Sequence, residues 1–327
     1  MHTEDNYFSQ SMLAIMSGLS PSTISRAASK ISIKNHKVKT GNRRKHTFEE
    51  ARKILKSLIA QEYEVHQKVQ VFFNFKGGTG KTSLCHQVSV HLATLGFNVL
   101  VIDCDPQSHL THALGIDQEE EKITLYDIIV NRLSVKEAIT NVYPGLDIIP
   151  ADLSLTRIEL PISQMVNREK VLKKIIAPLK QEYDFIFIDT NPTISIFNQN
   201  ATYCADIINI ICETQPFSLK GLDMLVHELE DFSSAMEKDI KYRVIPNKYE
   251  SKTGTSQEAL GSLRINYHQE VMETIVRKSE DINISAKQRK PVCLFCKKSS
   301  IAFEDMCDLS LAILEKSAKR LQKNRNI

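Results

Sequence analysis

No stretch of the 327-residue chain approaches the roughly eighteen consecutive apolar residues that a membrane span needs. The opening Met-His-Thr-Glu-Asp also lacks the basic and apolar regions of a secretory leader, so a cytoplasmic protein is expected. Seven scattered cysteines, an odd number, argue for reduced thiols rather than a disulfide framework. Cys293 and Cys296 form the one close pair. With no second pair and no matching histidine cluster, a tetrahedral zinc site is not expected. No internal repeat is visible either. What is present is ordinary globular composition, 42% hydrophobic and 25% charged, enough for one large domain and a small one. The net charge of +3 hides an asymmetry: residues 1–68 and 277–327 each carry +6, while residues 69–276 carry −9. Basic ends on an acidic body suggest separate polyanion-binding surfaces, the plainer reading of either end being a solvated charged face.

The most informative stretch is Val69 to Ser83, where a β-rich apolar run breaks into glycines and then into a helical pattern. Gly77, Gly78 and Gly80 let the backbone turn tightly, so that its NH groups, including that of Thr79, can approach phosphate oxygens. The following helix, entered through Thr82 and Ser83, offers its N-terminus to the negative charge. Lys81 is expected to reach the β- and γ-phosphates of ATP and the Thr82 hydroxyl to coordinate Mg²⁺. An additional lysine, Lys76, stands at the head of the loop. This Lys-Gly-Gly-Thr-Gly-Lys-Thr arrangement resembles the deviant Walker A loop of the ParA/MinD family of ATPases.

That resemblance implies an α/β fold, a mostly parallel twisted sheet flanked by helices over residues 67–327. The apolar strand ending in Asp103-Cys-Asp-Pro-Gln107 is similar to the family's second nucleotide motif. It implies that Asp105 positions the attacking water and that Asp103 helps to organise the metal and lysine network; strand-end turn residues are the plainer alternative. Tyr183-Asp-Phe-Ile-Phe-Ile-Asp189 is a buried strand ending in an acid, as in a Walker B element, in which Asp189 would hold Mg²⁺ through water. The chain continues Asp-Thr-Asn-Pro192 where family members have Asp-x-Pro-Pro, a change expected to alter the flexibility of this segment. Strands are also expected over Gly145–Pro150, Ile207–Cys212 and Tyr242–Lys248, with a helix from Arg168 through Leu179. Asn247, at the end of the last strand, is a candidate for reading the adenine edge or an ordinary turn residue. Residues 275–301 resemble the ParA tail, and Arg277, Lys278, Lys287, Arg289 and Lys290 are its candidates for binding DNA phosphates without sequence preference. The final helix shows core spacing at Phe303, Met306, Leu309 and Ile313, and the chain's end lacks the apolar face by which MinD-type relatives bind membranes.

Ahead of the ATPase, residues 1–66 read as a small all-α or winged helix-turn-helix unit with a linker helix. Phe8, Met12, Leu13, Ile15 and Met16 predict one helical face, Gly18 breaks it, and Ser20-Pro21 opens a second helix through Ile24 and Ala28. Ser22, Thr23, Ser25 and Arg26 on that helix suit phosphates and base edges. Gly41 to His46, with Arg43 and Arg44, predicts a basic wing, and Thr47-Phe-Glu-Glu50 a capping box opening a third helix. The pattern resembles the MerR-type winged unit that some plasmid ParA proteins carry; a helical dimerisation or docking segment is the alternative.

Together these resemblances imply a plasmid or chromosome partition ATPase. Its Mg-ATP sandwich homodimer would receive Lys76 across the two-fold axis, bind nonspecific duplex DNA and respond to a ParB-like centromere-binding partner. A transcriptional repressor of its own operon, with nucleotide as a conformational ligand at a specific operator, is the second reading. An electron-transfer ATPase like the nitrogenase iron protein needs a cluster-ligating cysteine shortly beyond Asp189, and residues 190–200 contain none.

Overall fold

The computed structural model describes residues 7–31, 45–117 and 121–321. The chain begins with β1 (Tyr7–Ser9), α1 (Gln10–Ser17) and α2 (Pro21–Lys30), followed by β2 (Lys45–Thr47), α3 (Phe48–Leu58) and β3 (Tyr63–Val65). The boundaries follow the expected caps. Ser20 accepts from the Thr23 amide with Pro21 in the first turn, Gly18 takes the left-handed conformation (φ +66°) at the end of α1, and Thr47 and Glu50 form the reciprocal capping box. Phe8 departs from expectation. Ser9 caps α1 by accepting from the Met12 amide, so Phe8 precedes the helix and pairs instead with His46 across the antiparallel β1–β2 ribbon. Arg43 and Arg44, and most of the expected wing, lie outside the described residues.

Seven further strands form the central sheet: β4 (Val69–Phe73), β5 (Val99–Asp103), β6 (Thr140–Tyr143), β7 (Leu146–Ile149), β8 (Phe185–Asp189), β9 (Ile207–Glu213) and β10 (Tyr242–Asn247). Their spatial order is β10-β9-β4-β8-β5-β7-β6, with every neighbouring pair parallel except the edge pair β6–β7. Side chains alternate between two buried faces. Phe72, Val101 and Phe187 point into one core; Val71, Ile102 and Ile188 point into the other. β4 lies at the sheet's centre and leads through the glycine loop into α4 (Lys81–Thr94), which is buried along almost its whole length. The helix expected from Arg168 is split into a 3-10 turn (Arg168–Lys170), an α-helix (Val171–Ile176) and a second 3-10 turn (Ala177–Gln181). Pro178, which has no NH to donate, falls where the helix gives way.

The N-terminal unit does not stand apart from this body. Phe8, Leu13, Ile24 and Leu55 belong to the same buried cluster as Leu84, Phe187 and Phe303. Phe48 stacks on Tyr143 at 5.0 Å, and β11 (Ala318–Arg320), at the end of the C-terminal helix Ile301–Ser317, pairs with β3. The His91 ring, whose pKa burial pushes down to about 4, donates to the Met16 carbonyl at 2.8 Å. Residues on either side of the expected division at 66–67 therefore share one core, and the central sheet begins at Val69.

Arg52 of α3 adds a polar tie. It donates to the carbonyls of Ala93 (2.5 Å) and Phe97 (2.6 Å) and to Asn98 Oδ1 (2.6 Å), where α4 ends. Gly145 (φ +80°) makes room for it, since a Cβ there would stand 2.1 Å from Arg52 Cζ. Arg52→Ala strands these acceptors and is expected to destabilise the chain by about 3 kcal/mol in urea unfolding. A loss under about 1 kcal/mol would mean that the two units hold together without it.

Candidate nucleotide site

The loop after β4 is held from several sides. Asn74 Oδ1 accepts from the Lys76 amide (2.8 Å), while its Nδ2 donates to the Ile211 carbonyl of β9 (2.7 Å). Gly78 and Gly80 adopt φ of +74° and +99°, a region that side chains resist. At Gly80 a Cβ would also stand 2.4 Å from Asn247 Nδ2. That amide donates to the Thr79 carbonyl at 2.6 Å, so Asn247 takes part in shaping the loop. Lys81 opens α4 buried, its ammonium 3.3 Å from the Lys76 carbonyl. Burial lowers its pKa, and the nearby Asp189 and Asp105 carboxylates oppose that shift.

The sheet register sets Asp103 of β5 beside Asp189 of β8, so two carboxylates reach the carboxyl edge together. Their surroundings differ. Asp103 Oδ1 accepts from the Asp105 amide (3.0 Å), and its Oδ2 from the Thr111 amide (2.9 Å) and hydroxyl (2.7 Å). Burial nevertheless pushes its pKa up to about 6. With these partners Asp103 shapes the loop that carries Asp105 while standing next to Asp189. Asp189 is fully buried with neither oxygen in a hydrogen bond of good geometry. Burial and the Asp103 charge hold its pKa well above the usual carboxylate range, with Thr82 and Lys81 opposing.

An orphaned carboxylate beside a threonine hydroxyl fits the magnesium expected from the sequence. Thr82 and Asp189 would hold the ion, in part through water, and its charge would add to that of Lys81 in offsetting the buried Asp189 carboxylate. Among the described residues there is no group of three His, Cys, Asp or Glu side chains suited to a metal without nucleotide. Asp189→Asn is expected to raise the thermal midpoint of the nucleotide-free protein by about 2–4 °C while lowering Mg-dependent turnover at least about 100-fold. A lower midpoint would show that the buried carboxylate is already compensated.

Asp105 completes the arrangement. Its Oδ1 accepts from the Gln107 amide (2.9 Å), and its Oδ2 lies 3.6 Å from His109 Nδ1. It lines a cleft of about 520 Å³ together with Gly77, Gly78, Gly80, Lys81, Thr82 and Ser83. The far wall contains His86 and Gln87 of α4, His112, and Ser285 of the helix Glu280–Gln288, none of them singled out in the sequence. Gln87 fastens that wall, its Nε2 donating to Ser285 Oγ (2.7 Å) and its Oε1 accepting from the Val292 amide (2.9 Å). On the opposite side, Asn198 donates to the carbonyls of Asn191 and Thr193, so the Asp-Thr-Asn-Pro segment is pinned despite lacking the family's first proline.

The basic candidates separate by partner. Arg277 donates through Nε and Nη2 to Asp305, whose side chain is only 4% exposed, and through Nη2 to Glu304 as well. Of the basic candidates Arg277 is thus the one tied to a buried carboxylate. Lys278 pairs with Glu250, and Arg289 with Asp117, at the surface, where such pairs exchange readily. Lys287 has no ion pair among the described residues. In α2, Ser22 and Arg26 are exposed and Thr23 is partly so.

A central parallel sheet whose middle strand runs through a glycine loop into a helix, with Lys81, Thr82 and a buried acid gathered at the strand ends, defines a P-loop nucleotide-binding protein. The family model for the AAA domain matches residues 67–242. The chain is 30% identical to the cell division protein PomZ of Myxococcus xanthus over 229 residues, 68% of this chain and 70% of the relative. It is 27% identical to the chromosome partitioning protein ParA of Caulobacter vibrioides over 232 residues, 70% and 87% of the two chains. In fold it is similar to cobyrinic acid a,c-diamide synthase from Mycobacterium smegmatis, solved with ADP and magnesium, at a TM-score of 0.64 and 22% identity over 78% of this chain and 98% of that one. The chain belongs to the ParA-type P-loop ATPases.

Proposed function

We propose that the chain is a DNA-partition ATPase whose Mg-ATP form is a sandwich homodimer that binds nonspecific duplex DNA and is released from it by hydrolysis. The observation that carries this reading is Lys76. It heads the loop yet is not among the residues lining the chain's own cleft, and its side chain is 47% exposed. A lysine placed so belongs to a site that a second copy completes, much as an arginine finger acts in trans.

Within each cleft, Lys81 and the amides of Gly77 to Ser83 bind the phosphates, Thr82 and Asp189 hold the metal, and Asp105 orients the attacking water. Lys278, Lys287 and Arg289 are the proposed phosphate contacts, and dimerisation doubles them. A ParB-like protein is the proposed stimulator of hydrolysis. Ser22, Thr23 and Arg26 on α2 are the proposed readers of a specific operator. Their exposure favours an added repressor role for residues 1–66, compatible with partition.

The test is binding to unrelated duplex DNA with Mg-ATP, Mg-ADP or no nucleotide, each titrated with salt. Tight binding only with ATP, lost steeply as salt rises, is the expected result. If unrelated DNA is ignored in every state, the partition reading fails and the operator reading leads.

A further inference from the structure

Glu213, the last residue of β9, lies between two lysines. Its Oε2 is 2.5 Å from Lys76 Nζ and its Oε1 is 2.7 Å from Lys248 Nζ, while its own side chain is 8% exposed. Lys248, in the left-handed backbone region (φ +54°), also donates to the Gly78 carbonyl at 2.5 Å. One buried anion thus gathers two cations at the phosphate loop, and one of those cations also holds the loop's backbone. Burial pushes the Glu213 carboxyl upward, but hydrogen bonds from Lys248 and Lys76 outweigh that and keep its pKa below the usual value.

The two lysines are not equivalent. Lys248 has two acceptors and is anchored to the loop. The Lys76 ammonium has no other hydrogen bond among the described residues.

We propose that Glu213 is a latch on Lys76, holding it against its own loop in the nucleotide-free chain, so that the ATP dimer forms only when Lys76 exchanges this carboxylate for the partner's phosphates. The inference rests on the reading of Lys76 as a residue that acts in trans. A buried carboxylate deserted by its only cation would be strongly unfavourable. Here Lys248 stays behind, so Lys76 can leave without stranding a charge. Because Lys76 is half exposed, its pair with Glu213 is weak enough to be exchanged. The latch therefore sets a threshold for dimerisation rather than a block. Glu213 does not line the cleft and acts through Lys76, as a positioning residue.

The test is sedimentation of the full chain with Mg²⁺ and a slowly hydrolysed ATP analogue across protein concentration. The wild type is compared with Glu213→Gln, Lys76→Ala and the double variant. Glu213→Gln keeps the shape and the acceptor but removes the charge, and it is expected to dimerise at about tenfold lower concentration, equivalent to 1.4 kcal/mol. Lys76→Ala is expected to dimerise poorly, and in its background Glu213→Gln should change nothing, an outcome that a merely structural role for Glu213 would not give. If Lys76→Ala is impaired while Glu213→Gln dimerises like the wild type or worse, the latch is wrong and the trans reading stands. If Lys76→Ala dimerises like the wild type, the trans reading itself fails and the latch with it. Should Glu213→Gln not fold, Glu213→Asp draws the carboxylate back by one methylene and is expected to shift the midpoint in the same direction by a smaller factor; no shift there would overturn the latch.

Discussion

Lys81→Ala should weaken Mg-ATP binding by about 100- to 1,000-fold and bring turnover to background, the largest effect expected of any single substitution in the chain. Lys81 is buried at the mouth of the loop, with Asp189 and Asp105 as neighbouring anions. Truncation removes the one ammonium lining the cleft among the described residues and leaves the Asp105 carboxylate facing the incoming phosphates, with Asp189 buried behind it. The effect therefore has two parts, a lost charge-assisted contact and an uncovered repulsion. Breaking buried charge pairs of this kind costs about 3–5 kcal/mol, and the lower part of that span, about 3–4 kcal/mol, corresponds to the range stated. The fold should survive, because Lys81 is the first residue of α4 and the core contacts of that helix begin at Leu84. Titration calorimetry with Mg-ATP, accompanied by a thermal melt, checks both parts. A variant that binds within about threefold of the wild type would remove Lys81 from the site.

Much of this arrangement is legible in the chain because it lies in short, strongly patterned runs. Val69–Phe73, Val99–Asp103 and Phe185–Asp189 are apolar except for Gln70 and the two terminal acids, and the structure buries every residue of each. Acids at the ends of the latter two fall at the carboxyl edge, where a parallel sheet binds ligands. The strands that escaped notice, β1, β3, β6 and β11, are three or four residues long and partly exposed. β1, β3 and β11 exist because a distant segment pairs with them, which no local pattern records, whereas β6 is an exposed edge strand folded back on β7.

The site shows the same division. Glu213 ends β9 just as Asp103 and Asp189 end their strands, so the same rule could have marked it. His86, Gln87 and Ser285 carried no signal, since only packing brings the helix Glu280–Gln288 onto α4. Charge along the chain likewise placed Arg277 in a basic tail without revealing that Asp305, 28 residues later, is its partner.

Asp105→Ala should separate binding from chemistry, which Lys81→Ala cannot do. Turnover is expected to fall by about 100- to 1,000-fold, in the range found when a group that orients or stabilises the reacting atoms is lost. Mg-ATP affinity is expected to stay within about threefold of the wild type, or to tighten. The sign follows from charge, because removing an anion that shares the cleft with the phosphates lowers repulsion, and Lys81, Thr82 and the loop amides remain. Little of the loop's shape depends on the side chain, which meets the Gln107 amide and the exposed His109 ring. The backbone amide of Asp105, which Asp103 does hold, is unaffected by the substitution. Single-turnover hydrolysis set beside equilibrium binding checks both halves. With the chemistry stalled and ATP still bound, the variant should accumulate as the ATP dimer on DNA, where the wild type would cycle off. Equal losses in binding and turnover would instead mean that Asp105 supports the ground-state nucleotide, and the orientation of the attacking water would have to be sought elsewhere in the cleft.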